Sequence, residues 1–232
     1  MDVPFFDCHS HNPSRQGELV IVQADVERMV TDDASSPAFS SFSVKNVSSG
    51  NCCSTLPRSN KSPISYISIG LHPWDVERFD INKVFNTFVN NLQNDENHHI
   101  VAIGECGLDK LCTSSLDLQR EVFIKHVELS ERFSLPVIVH CVKAMDELLR
   151  LRREMRPTLP WIWHGFRGKP QQMHQLLDAG MYISFGFRHN AQSIAECPVE
   201  RMLFETDCDE RPVSLLYEQT GISPKGIKIF FP

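Results

Sequence analysis

Near its start the chain reads Asp7-Cys8-His9-Ser10-His11. Side chains of an extended strand repeat every two residues, so His9 and His11 leave the backbone on the same side and can chelate one metal ion. Alone, such a pair is also what surface or capping histidines produce. Four later positions give it weight. Glu105 follows the apolar run Ile100 to Ile103, His140 ends the run Leu135 to Val139, and His164 ends Trp161 to Trp163. Asp207 follows Met202 to Phe204, with Glu205 and Thr206 between. Each polar group stands at or just beyond the C-terminal end of a strand-like run. Four histidines and two carboxylates on successive strand ends exceed what capping alone explains.

Neutral imidazoles and carboxylates are the ligand set of zinc and related first-row cations, and a carboxylate has two oxygens with which to bridge two ions. Six such groups suit two divalent ions, zinc, manganese or magnesium, better than one. A metal pair about 3.5–4 Å apart lowers the pKa of a bound water toward ~7 and clamps the attacking and leaving oxygens of a phosphoryl displacement. Asp207 and Glu105 are the candidate catalytic carboxylates, with Asp207 expected to orient the water and accept its proton.

The elements that must position these groups are short apolar runs at Phe5-Phe6, 39–47, 66–71, 100–103, 137–139, 161–163, 181–185 and 202–204, each read as a buried strand. Helical patterns lie between the later ones at 79–94, 115–134, 144–155 and 170–179. In the second of these Leu118, Val122, Leu129 and Phe133 share a face, and Leu135-Pro136 ends it. Strand and helix alternate, which predicts βα units and an α/β fold, a (β/α)8 TIM-type barrel with the ligands at the C-terminal ends of its strands. A doubly wound open sheet is the alternative. Residues 31–64, rich in Ser, Asn and Pro, read as an irregular insertion in a single domain spanning 1–232. Residues 212–232 hold only a short helical pattern, so the last βα unit is expected to be incomplete.

Net charge is −6, with 41% hydrophobic and 22% charged residues, so a broad basic face for gripping duplex DNA is not expected. Any nucleic-acid contact is then local or carried by metal ions. No apolar run approaches a membrane span and the start lacks the pattern of a signal peptide, so the expectation is a cytoplasmic protein with no membrane contact and no obligate protein partner. The eight cysteines include no C-x-x-C pair and read as free thiols. Cys8, Cys106, Cys141 and Cys208 each adjoin a candidate ligand and, by strand alternation, are expected to face away from it.

The segments DCHSHN, GLHPW, AIGECGLDK, PVIVHC, WHGFRG and LFETD resemble, in order, the strand-end signatures of TatD-like metal-dependent deoxyribonucleases, from about residue 5 to 210. The resemblance implies a TIM barrel of the amidohydrolase type, phosphodiester hydrolysis and a dinuclear site. Carried over by position, His9, His11, Glu105 and Asp207 would hold the first metal, and Glu105 would bridge to a second held by His140 and His164. His72 falls where the family keeps a histidine near substrate, which implies phosphate contact or support of a ligand; a hydrogen-bonded structural histidine is the plainer reading. Asp109 matches as a residue that orients a ligand, against a simple turn aspartate. Arg167 and Lys169 are candidates for substrate phosphate, the alternative being solvated loop charges. His98, His99, His126, His174 and His189 match no motif and read as surface or packing residues. Cys141-Val142-Lys143 stand where many relatives have an Arg-Asp pair, and Cys208-Asp209-Glu210 replace the usual Ser-Pro-Tyr.

The function expected is a metal-dependent hydrolase of phosphodiester bonds, a deoxyribonuclease acting on single strands or duplex ends. The same site could serve small esters, lactones or amides, because a fold fixes water activation and not substrate. A metal-stabilised binding scaffold without turnover is the third reading, and the intact ligand set argues against it.

Overall fold

A computed structural model describes residues 5–12, 15, 18–31 and 65–226. Within them eight parallel strands pair in chain order: β1 (Phe5–Ser10), β2 (Glu18–Gln23), β3 (Ser65–Ile69), β4 (Ile100–Asp109), β5 (Val137–Val142), β6 (Trp161–Trp163), β7 (Tyr182–Phe185) and β8 (Met202–Phe204). A helix follows each strand from β2 onward: α1 (Val26–Thr31), α2 (Ile81–Gln93), α3 (Leu116–Phe133), α4 (Met145–Met155), α5 (Pro170–Asp178), α6 (Ala191–Glu196) and α7 (Ser214–Thr220). The sheet curls until its ends meet. Ser10 bridges Asp207; the Asp207 N–H donates to the His9 carbonyl and the His11 N–H to the Asp207 carbonyl, both at 3.0 Å. This is the expected (β/α)8 barrel, and it excludes the open sheet.

The helices form where start and stop signals bracket an apolar face. Asp80 caps α2 by accepting the Lys83 N–H at 3.1 Å, and Val84 and Phe88, one turn apart, are fully buried against the barrel. Ser115 caps α3 through the Leu118 N–H at 3.2 Å; the helix ends at Ser134, left-handed at φ 58°, two residues before Pro136. Burying a side chain such as Phe88 stabilises the domain by about 1.5–3 kcal/mol, which is why short helices persist on this scaffold. Helix α7 docks through Tyr217, whose hydroxyl donates to the Phe6 carbonyl at 2.9 Å. The eighth unit is therefore abbreviated but present. The strand expected at 39–47, with the remainder of 32–64, lies outside the described residues, as do residues 227–232.

Four elements differ from the sequence pattern, two of them the six-residue helices α1 and α6, which no expected helix covers. Strand β2, Glu-Leu-Val-Ile-Val-Gln, was not among the expected strands, although its β-branched run buries Val20 and Ile21. Strand β4 runs ten residues and is buried throughout, so Glu105 lies inside it rather than beyond its end. Gly107, at φ 152°, permits this: a Cβ there would overlap the His140 carbonyl oxygen, so only glycine lets β4 pass this close to β5. No helix among the described residues is long and apolar enough to cross a membrane.

Candidate metal centre

The barrel's C-terminal rim gathers side chains from six strands around one carboxylate. Glu105 on β4 is buried, and its two oxygens face different partners. Oε2 lies 3.2 Å from His9 Nε2 and 3.6 Å from His11 Nε2. Oε1 lies 2.8 Å from His140 Nδ1, 2.8 Å from His164 Nε2 and 3.3 Å from His72 Nε2. Asp207 completes the first side, its Oδ1 3.6 Å from His11 Nε2 and 3.9 Å from His9 Nε2. Possible ligand atoms fall within 4.8 Å of one another in three sets: His9, Glu105 and His164; His9, His11 and Asp207; and His72, Glu105 and His140. All six residues expected as ligands are thus brought together, and His72 joins them. Asp207 takes a left-handed φ of 54°, held by the two backbone hydrogen bonds that close the barrel. Such a conformation in a non-glycine residue persists only where surrounding structure enforces it, and it is concentrated at functional sites.

The electrostatics call for a cation. Burial pushes the Glu105 carboxyl upward, but the charge of His164 and hydrogen bonds from His11, His140 and His164 outweigh it and hold it well below the usual range. Burial would lower the His164 imidazole, yet the Glu105 and Glu205 carboxylates hold it well above its ordinary value. The Glu105 hydrogen bond likewise raises His11 against burial. Glu105, Asp109, Glu205 and Asp207 pair only with histidines, and no Lys or Arg among the described residues neutralises them. His9 is completely buried with neither ring nitrogen hydrogen-bonded, and Glu205 Oε2 is similarly orphaned. Buried polar atoms left unpaired are costly and rare. Imidazole nitrogens and carboxylate oxygens aimed inward, some lacking partners, fit divalent metal ions. None of the described cysteines belongs to the three sets. Burial pushes the Cys8 and Cys106 thiols well up, which disfavours the thiolate that ligates metal.

Around this centre stands a ring of orienting groups: Asp109, for which the family resemblance implies that role, and Glu205, Gln23 and Asp7, to which sequence alone assigns none. Asp109 Oδ2 accepts the indole N–H of Trp74 at 2.7 Å and lies 3.1 Å from His140 Nε2. Burial pushes the Asp109 carboxyl up, but bonds from Trp74, the Leu111 N–H and His140 leave it lowered. Glu205, fully buried, meets His164 Nδ1 at 3.3 Å; standing two residues before Asp207, it could have been singled out by strand alternation. Gln23 at the end of β2 accepts the Glu105 N–H. Asp7 accepts from Thr206 N–H and hydroxyl at 3.1 and 2.7 Å, tying β1 to β8; burial pushes its carboxyl up to about 8. Arg167 is exposed on the wall of a cavity of about 260 Å³ shared with Arg188, Glu205 and Asp207. Lys169, also exposed, caps α5 outside the cluster.

Residues 6–217 match the family model described as TatD related DNase. The chain belongs to this family. It is 31% identical over 152 residues to the uncharacterized metal-dependent hydrolase YabD of Bacillus subtilis (strain 168), covering 62% of this chain and 58% of the relative. It is 34% identical over 122 residues to the 3'-5' ssDNA/RNA exonuclease TatD of Erwinia billingiae (strain Eb661), covering 48% of this chain and 47% of the relative. The chain spans about half the length of the curated relatives it matches first. Among solved structures, the Escherichia coli K12 TatD homologue YJJV superposes with a TM-score of 0.64 at 23% identity, covering 87% of this chain and 78% of that one. That likeness shows the shared barrel fold.

Proposed function

We propose that this TatD-family chain acts as one domain that hydrolyses phosphodiester bonds of DNA at single-stranded or frayed ends, using two divalent ions. The observation that carries the reading is Glu105, whose two oxygens each face a separate group of histidines. His9, His11 and Asp207 would hold one ion, His140 and His164 the other, and Glu105 both. Bound there, the ions would supply an acidified water and neutralise charge on the phosphoryl oxygens. Asp207 is placed to orient that water and take its proton as oxygen attacks phosphorus. His72, beside Glu105 Oε1, and Arg167, on the rim next to Asp207, are placed to contact the phosphate. A net charge of −6 argues against long-duplex engagement, and the relative named a 3'-5' ssDNA/RNA exonuclease supports end-directed action on single strands.

The test is hydrolysis of single-stranded DNA and a panel of small esters by metal-free protein reloaded with Mg²⁺, Mn²⁺ or Zn²⁺, beside Glu105→Ala. Metal-restored DNA cleavage absent from the variant is the expected result. Turnover of small esters alone would reassign the site to that chemistry, and metal uptake without turnover would leave a binding scaffold.

A further inference from the structure

Among the described residues the exposed large hydrophobic side chains are Trp74, 62% exposed, and Leu111, 64% exposed. Far apart in sequence, they line one cavity of about 390 Å³, within the range of small-molecule sites, whose inner wall is His140 and Asp109. The apolar walls are not loose. The Trp74 indole N–H donates to Asp109 Oδ2 at 2.7 Å, and the Leu111 backbone N–H donates to Asp109 Oδ1 at 2.8 Å. His72 braces the indole edge-on at a centroid distance of 5.1 Å. One buried carboxylate therefore fixes both apolar walls and, through its contact with His140 Nε2, a candidate metal ligand. No Lys or Arg lines this cavity, so it is not built for a phosphate. A pinned aromatic face beside the candidate metal centre, with an aliphatic side chain lining the same cavity, matches the stacking platforms on which proteins hold unpaired bases.

We propose that the Trp74–Leu111 cavity seats an unpaired nucleobase of the nucleotide next to the phosphate being cleaved. The inference rests on the nuclease reading above and adds the source of single-strand preference: a base held in a duplex stack cannot enter the cavity, whereas a frayed or single-stranded one can. Base identity is read weakly, because every base offers a π-face.

The test uses the metal-free protein, so that nothing is turned over, and two probes of equal length and charge: a short single-stranded oligonucleotide and its abasic analogue. Trp161 and Trp163 are buried, so quenching of intrinsic fluorescence by a stacked base reports on Trp74. The base-bearing probe is expected to quench and to bind more tightly than the abasic one. Leu111→Ser, which keeps the backbone bond to Asp109 but removes the apolar contact of its side chain, is expected to reduce that difference roughly fivefold. Trp74→Phe, which keeps a ring but loses the indole bond, is expected to retain most of the difference, read by competition. Equal binding of the two probes, or a difference that Leu111→Ser leaves intact, would overturn the proposal even if the reloaded protein cleaves DNA. Base-dependent binding by a protein that cleaves no DNA would uphold the cavity's role and sink the nuclease reading instead.

Discussion

Asp109 Oδ2 lies 3.1 Å from His140 Nε2, while Nδ1 of the same imidazole lies 2.8 Å from Glu105. A carboxylate on the far nitrogen of a ligating histidine fixes the ring's orientation and tautomer and leaves the near nitrogen's lone pair for the metal. Asp109→Asn is accordingly expected to weaken binding of the ion held by His140 by about 10–100-fold while the other ion binds nearly as before. Metal titration against a competing chelator resolves the two; equal weakening of both ions, or of neither, would show that His140 is oriented by something else.

Gln23 performs a comparable service for Glu105. Its Oε1 accepts the Glu105 N–H and the Ser68 hydroxyl, the latter at 3.0 Å, and its Nε2 reaches the Ala24 and Gly70 carbonyls, each at 3.3 Å. Gln23→Leu removes all four bonds, and each buried polar group left unmet costs about 1–3 kcal/mol. A loss of about 2 kcal/mol or more in urea unfolding is expected, with hydrolysis impaired in those molecules that remain folded. Wild-type stability in the variant would mean that water replaces the amide.

The candidate ligands were legible because strand alternation and parallel topology are local rules: His9 and His11 announce their shared side, and Glu105, His140, His164 and Asp207 each close an apolar run. The four helices expected at 79–94, 115–134, 144–155 and 170–179 appear within two residues of those bounds, since caps and apolar faces lie in the segments themselves. Strand β2 offers only the four-residue apolar run 19–22 between polar Glu18 and Gln23, and Gln23 acts through hydrogen bonds to β3 and β4 that no local pattern displays. For Asp109 the family resemblance implies that it orients a ligand, but not which one. Its partners Trp74 and His140 are 35 and 31 residues away, and only barrel closure joins them.

Gly107 tests whether the spacing of β4 and β5 is what sets the centre. Its φ of 152° suits glycine, and an added methyl would strike the His140 carbonyl oxygen. Gly107→Ala is expected to cost about 1–3 kcal/mol from backbone strain alone and to push His140 from Glu105, so metal affinity falls more than stability does. Thermal shift with and without added Mn²⁺ separates the effects: ligand binding to the native state raises the melting temperature of the wild type, and the variant should lose most of that rise. A rise of wild-type size would show that β4 and β5 absorb the methyl without moving the ligand.

His126, away from the metal centre, makes stability depend on pH. It is fully buried, with Nδ1 2.8 Å from the Val122 carbonyl and Nε2 accepting the Leu71 N–H at 2.9 Å, so the neutral ring is the form that fits. Burial lowers its pKa from 6.5 to about 4, the Val122 bond opposing only in part. The depressed value sets the sign: above 6.5 the ring is neutral in both states and contributes no pH dependence, whereas between 6.5 and about 4 the unfolded chain binds the proton and the folded one does not. Stability is therefore lost as pH falls through that window, by about 2 kcal/mol at about pH 5 and about 3 kcal/mol below both values. His126→Gln keeps an acceptor for the Leu71 N–H without a titrating ring. Urea unfolding of both proteins at about pH 8 and about pH 5 isolates the effect, because other titrating groups cancel in the difference. The wild type is expected to lose about 2 kcal/mol more than the variant across that interval. Parallel losses would mean that His126 takes up its proton in the folded state, which requires the Leu71 bond to open and the His72 loop to shift with it.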